Sequence, residues 1–208
     1  MSLVLYHHPW SRAAGVVWML EELGEPYDLR YVDMQAGEHL RDEHRARNRM
    51  MKLPVLEDGE TIVSETAAIG VYLADRYALG RLAPALDDPA RGAYLRWCFY
   101  SPSVLEIACM AKSSGWKYSP GQAGFGSYEN VVATLEDALA AGPWLLGERF
   151  TMADVILGGT VRWMLRFDML EPGEHIGEYA ERLGERPANQ RAQAKNDAIV
   201  QERGLTRG

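Results

Sequence analysis

"MKLPVLEDGETIVSETAAIG", residues 51–70, sets a proline between Leu53 and Val55 in a stretch that otherwise reads as a β-strand. A proline cannot donate a ladder hydrogen bond, so sheets accept one only at an edge, a bulge or a strand's first position. Just beyond it, Asp58-Gly59 is a hairpin signal between two brief strands. Ile69, Tyr72 and Leu73 then supply the apolar stripe of a helix reaching about Tyr77. The proline therefore opens a β-β-α unit.

Upstream, "LVLYHH" (3–8) reads as a strand, followed by Pro9 and a helix beginning near Ser11. Ala13, Val16, Val17 and Leu20 recur at i, i+3, i+4 and i+7, the stripe of a helix lying on a sheet, and Gly24 is placed to stop it. "YDLRYVDM" (27–34) alternates like a second strand. This β-α-β order implies a right-handed crossover and a parallel pair. Residues 37–49 are polar and predict a short irregular helix that crosses to the β-β-α unit.

Downstream the pattern changes. "ALGRLAPALDDPARG" (78–92), rich in Pro, Gly and Asp, reads as a domain boundary. No convincing period-2 stretch follows it. A long helix is expected over 90–112 with a kink at Pro102, a loop over 118–127, and a helix from Tyr128 to its stop at Gly142. Thr151 and Asp154 have the spacing of a capping box, with Phe150 stapled against Val155, and the polar tail predicts a frayed terminal helix. The expected division is an α/β domain at 1–78, a linker at 79–88 and an all-α domain at 89–208.

The 208 residues are 47% hydrophobic and 25% charged, ordinary for a folded soluble protein. A net charge of −7 and an isoelectric point near 5.3 argue against a nucleic-acid surface, which needs clustered Lys and Arg. The N-terminus has no basic segment followed by an apolar run, and no stretch reaches the ~18 apolar residues of a membrane span, so a cytoplasmic location is expected. Cys98 and Cys109, on one helix, would stand ~16 Å apart along its axis, too far to bridge. His7 and His8 point to opposite faces of a strand with no carboxylate cluster beside them, so no metal is expected.

The order β-α-β, crossover, β-β-α, then helices only, resembles the cytosolic glutathione transferases, whose first domain is thioredoxin-like. "NRMMKLPVLEDG" (48–59) is similar to the family's N-P-x-x-K-V-P-x-L-x-D-G at Asn48, Lys52, Pro54, Leu56, Asp58 and Gly59. It departs at Arg49, where proline is usual, and at Met51, where glycine is common. The resemblance implies a cis-proline at Pro54, with the main chain of Leu53 left to pair with an extended peptide.

"SETAAIGVYLADRY" (64–77) is similar to the signature that holds the γ-glutamyl group, which places Glu65 and Thr66 there. "GEHL" (37–40) looks like the theta-type arrangement in which a histidine binds the glycyl carboxylate, giving His39 with Lys52 beside it. "LYHHPWSRAAGVVWMLEELG" (5–24) is similar to the serine-type branch, in which Ser11 would donate to the glutathione sulfur; Tyr6 is the alternative donor. Ser11 is also a favoured helix cap, and Tyr6 a strand residue that could pack between layers.

The resemblance thus implies glutathione as co-substrate, an apolar electrophile as second substrate and a homodimer, with no nucleic-acid or membrane partner. Trp10, Tyr100 and Trp116 are candidates for the electrophile pocket, although such aromatics at helical spacing are often core. Four alternatives stay open from the sequence. The chain could be a binding or regulatory module that has lost activity, or a glutathione-dependent isomerase, dehalogenase or peroxidase.

Overall fold

A computed structural model of the chain describes residues 3–206. The outermost two residues at either end, with which the expected domains begin and end, lie outside the described residues. The chain forms two compact units, Met1–Leu73 with Arg186–Gly208, and Ala74–Glu185.

The first unit is built on a four-stranded sheet of order β2-β1-β3-β4. Its strands are β1 (Leu3–His7), β2 (Tyr27–Tyr31), β3 (Val55–Asp58) and β4 (Thr61–Ser64). β1 pairs parallel with β2 and antiparallel with β3, and β3 pairs antiparallel with β4. Helix α1 (Ala13–Leu23) joins β1 to β2 and ends at Gly24, whose φ of 81° is the left-handed cap that glycine adopts without strain. A 3-10 turn (Glu38–Leu40) and α2 (Asp42–Arg47) fill the crossover. β3 begins at Val55, so Pro54 precedes the strand and removes no donor from this interior ladder. The hairpin loop is Gly59-Glu60, between the paired Asp58 and Thr61, with Gly59 at a φ of 61°. Helix α3 (Thr66–Tyr77) follows β4.

Helix α1 is buried more widely than its sheet-facing stripe requires. Ala13, Val16, Val17 and Leu20 are buried as expected, but so are Trp18, Met19 and Leu23. The second cover is the last helix, α9 (Pro187–Glu202), which packs along α1. Its buried residues are Ala188, Asn189, Ala192 and Asn196, small enough to let the two backbones approach. Charge fastens the pair: Arg186 Nε lies 2.6 Å from Glu22, while Arg191 Nε and Lys195 Nζ each lie 2.7 Å from Glu21. The tail is therefore a regular helix that groups with the α/β unit, which departs from the contiguous helical domain expected over 89–208.

The second unit contains α4 (Arg91–Tyr100), α5 (Glu106–Ser113), α6 (Tyr128–Ala140), α7 (Met152–Arg166) and α8 (Glu174–Glu185). The expected kink at Pro102 is a π-helical turn, Ser101–Leu105, between α4 and α5. Proline lacks the N–H for the regular ladder, and a widened turn absorbs the loss. Residues 79–88, expected as a linker, are fastened within this unit: Arg149 reaches Asp88 at 2.8 Å and the Gly80 carbonyl at 3.2 Å, and Arg91 donates to the Pro84 carbonyl. At the start of α7 the Thr151–Asp154 capping box is formed, whereas Phe150 packs edge-on against Trp144.

Candidate functional site

Strand direction alone gathers the expected site residues of the first unit. Because β3 runs against β1, Leu53 and Pro54, which lead into it, stand at the C-terminal end of β1, where Tyr6 pairs with Val55. Because β4 runs against β3, Ser64 pairs with Val55, and Glu65 follows at that same end. The loop carrying Trp10 and Ser11 leaves β1 there as well. Tyr6, Ala13, Leu53 and Val55 belong to one apolar cluster beneath these loops.

Ser11 sits half-buried in the tight turn before α1. Its hydroxyl donates to the His8 carbonyl at 2.8 Å and accepts the Ala13 N–H at 3.2 Å. The Ser11 N–H donates to the same His8 carbonyl at 3.0 Å. That carbonyl would thus keep a donor if the hydroxyl turned elsewhere. Tyr6, the alternative donor, has its hydroxyl bonded to Glu57 Oε2 at 3.2 Å, with the Arg47 guanidinium 4.7 Å from its ring centroid. Burial first, and then the Glu57 charge, raise the Tyr6 pKa above its ordinary value. A hydroxyl so held favours the packed-strand reading of Tyr6 over a role at a sulfur.

The Leu53–Pro54 peptide is cis. Among the described residues, the Leu53 N–H and C=O have no hydrogen-bond partner. The preceding turn is held firmly, since the Lys52 carbonyl accepts from His44 Nε2 and Asn48 Nδ2, both at 3.1 Å. Met51 adopts a φ of 54°, which explains why a residue without a Cβ suits this position. The Lys52 side chain is exposed.

Glu65 also has a positive φ, 69°, a conformation that costs a β-carbon residue about 1–3 kcal/mol and tends to concentrate at ligand sites. Its carbonyl accepts the Ile69 N–H at 2.9 Å, so it caps α3, and Thr66 is the first residue of that helix. The first N–H groups of a helix have no partner within it and favour an anion. Burial of the Arg12 guanidinium lowers its pKa, and the Glu65 carboxylate opposes that, so the two side chains share one electrostatic neighbourhood.

His39 lies in the 3-10 turn with its Nδ1 buried and unpartnered. His8, itself buried, accepts the Trp10 N–H through Nδ1 at 3.1 Å, leaving its own Nε2 buried and unpartnered. Burial lowers the His8 pKa; Asp33 opposes the shift and His39 adds to it. The charges of the two imidazoles therefore act on each other.

Of the aromatic candidates, Trp10 packs edge-on against His8 with ring centroids 5.9 Å apart. In the second unit, Tyr100 donates to the Val131 carbonyl at 3.1 Å and packs on Trp97, so it serves that unit's core, while Trp116 is 55% exposed. Burial pushes the thiols of Cys98 and Cys109 up to about 12 and about 11, so neither is a nucleophile near neutral pH. Sequence reasoning missed His44 and Asn196, both polar, buried and set in polar stretches with no pattern to single them out.

The comparisons agree on one family. Residues 1–75 match the model for the glutathione S-transferase N-terminal domain, and residues 120–191 that for the C-terminal domain. The chain is 30% identical over 168 residues to glutathione S-transferase 2 of Schizosaccharomyces pombe, covering 73% of this chain and 70% of that protein. It is 28% identical over 195 residues to glutathione S-transferase GstA of Escherichia coli O157:H7, covering 90% and 96%. A glutathione transferase of Phanerochaete chrysosporium, solved in complex with oxidized glutathione, shares the fold at a TM-score of 0.78 and 24% identity, over 95% of this chain and 97% of that one. No helix among the described residues is long and apolar enough to cross a membrane.

Proposed function

Because the chain belongs to the glutathione S-transferase family, we propose that it joins the thiolate of glutathione to an electrophilic carbon of a hydrophobic substrate. Glutathione lies as an added strand against the unpaired main chain of Leu53. Its γ-glutamyl ammonium meets the Glu65 carboxylate, and its α-carboxylate meets Thr66 and the opening N–H groups of α3. His39 and Lys52 take the glycyl carboxylate, and Ser11 donates to the sulfur. Trp10, beside Ser11, is the candidate for the electrophile's apolar wall. The same reading takes the protein as a cytoplasmic homodimer, as is usual in the family.

Keeping the thiol ionised near neutral pH means lowering its pKa by about two units, or ~2.7 kcal/mol. A hydrogen bond to a charged group supplies ~1.5–3 kcal/mol, and a helix N-terminus adds ~0.3–1. Ser11 can make that bond at little cost, because its hydroxyl turns away from a His8 carbonyl that keeps the Ser11 N–H. The Ala13 N–H donating into the Ser11 oxygen polarises the hydroxyl and strengthens it as a donor. With the thiol proton lost to solvent, the sulfur's electron pair forms the S–C bond and the leaving group departs with its own bonding pair.

The observation that carries this reading is the convergence of Ser11, the open main chain of Leu53 and the Glu65–Thr66 helix start on one end of one sheet. Turnover of a generic aryl halide by the wild type, Ser11→Ala and Tyr6→Phe tests it. Ser11→Ala is expected to lose most activity and Tyr6→Phe to keep most. The reverse pattern would move the donor to Tyr6.

A further inference from the structure

The turn that carries Ser11 has two feet, the last residue of β1 and the first turn of α1, and one side chain from the far end of the sequence touches both. Asn196, buried on α9, accepts from His7 Nε2 through its Oδ1 at 2.7 Å. Its Nδ2 donates to the Ala192 carbonyl of its own helix at 3.0 Å and approaches the Ala14 carbonyl at 3.5 Å. His7 is wholly enclosed, and its neighbour His8 offers the carbonyl that anchors Ser11 twice. On the other side, the Ala14 N–H donates to the Ser11 carbonyl at 3.0 Å.

We propose that Asn196 is a positioning residue for the transferase site: its amide ties the two feet of the Ser11 turn together and so sets where the Ser11 hydroxyl stands. This rests on the reading of Ser11 as the thiolate donor. Asn196 touches neither glutathione nor the second substrate. It acts through His7 and Ala14, while Arg186, Arg191 and Lys195 separately fasten α9 to Glu22 and Glu21. A shift of about 1 Å in a positioned group can cost on the order of a hundredfold in rate, so the tie bears on chemistry and not on stability alone.

The test is the apparent pKa of the thiol of bound glutathione, read by thiolate absorbance across pH, with thermal unfolding of every variant alongside. Asn196→Ala is expected to raise that pKa by about one unit, a roughly tenfold loss of thiolate near neutral pH, while glutathione affinity changes by roughly twofold or less. His7→Leu breaks the same bond from its other partner and is expected to give the same shift, which keeps the test decisive if Asn196→Ala folds poorly. Arg191→Ala, which removes one of the three ion pairs on α9 and neither of the Asn196 contacts to His7 and Ala14, is expected to leave the thiol pKa unchanged. If Ser11→Ala raises the thiol pKa but Asn196→Ala and His7→Leu lower only the unfolding temperature, the positioning role is overturned and the reading of Ser11 stands. If Ser11→Ala leaves the thiol pKa unchanged, that reading fails and the inference fails with it.

Discussion

The Asp154 carboxylate accepts the main-chain N–H of Leu145, nine residues upstream, at 2.9 Å. It also accepts from the Thr151 N–H at 2.8 Å and from the Tyr179 hydroxyl at 3.2 Å, all within the core of the helical unit. Burial pushes the Asp154 pKa up to about 6 against the pull of these donors. Asp154→Ala strands two buried N–H groups, those of Leu145 and of the helix-capping Thr151, each worth about 1–3 kcal/mol when left unpaired. The expected loss is about 3 kcal/mol or more by denaturant unfolding, with Asp154→Asn recovering part of it. A loss under about 1 kcal/mol would show that the loop re-pairs without the carboxylate.

The junction of α1 and α9 weakens in acid. Burial, against the raising effect of the Asn196 hydrogen bond, holds the His7 pKa down at about 4 from 6.5. The folded protein therefore keeps His7 neutral while the unfolded chain takes up a proton. The stabilisation is complete above pH 6.5 and is lost as the pH falls to about 4, a change of about 3 kcal/mol. For Glu21, burial acts to raise the pKa but the hydrogen bonds from Lys195, Tyr27 and Arg191 outweigh it and hold it at about 2. Its contribution is present above 4.5 and is lost below that. Unfolding temperature measured across this range is expected to fall less steeply between pH 6.5 and 4 in His7→Leu than in the wild type. Equal slopes would contradict the assignment.

Glu65 joins a strained main chain to a carboxylate beside Arg12. If it holds the ammonium of glutathione, Glu65→Ala removes a charge-assisted contact of about 1.5–3 kcal/mol, and KM for glutathione rises by about 10- to 100-fold. The turnover number at saturating glutathione should change far less, because the contact exists before and during reaction alike. Steady-state kinetics with glutathione varied checks this. A fall in kcat at unchanged KM would place Glu65 in the chemistry instead.

The parts of the fold that were legible were those with a strong local pattern. Alternation gave β2, Asp58-Gly59 marked the hairpin, and Gly24 marked the end of α1, each because a local requirement falls on residue types that meet it. Pro102 located the break between α4 and α5 but not its form, since a missing N–H does not say whether the chain kinks or widens. Helix α9 looked like a polar tail because its buried side is made of Ala188, Ala192 and Asn196, which leave no apolar stripe to read. For the candidate site, similarity to a known pattern nominated Ser11, Leu53, Glu65 and Thr66. It could not reveal that the Tyr6 hydroxyl turns to Glu57, since strand alternation fixes a face and not what waits there. Nor could it reveal Asn196, whose partner His7 lies 189 residues away in sequence.

The central claim is that a tripeptide docks as a strand on Leu53 with its sulfur at the first turn of α1. A crystal structure of the protein with glutathione tests it most directly. The account predicts main-chain hydrogen bonds from the cysteinyl residue to both the N–H and the C=O of Leu53, and the sulfur within hydrogen-bonding reach of the Ser11 hydroxyl, released from the His8 carbonyl. Glutathione bound with its sulfur against any other donor, or with the main chain of Leu53 still open, would contradict it.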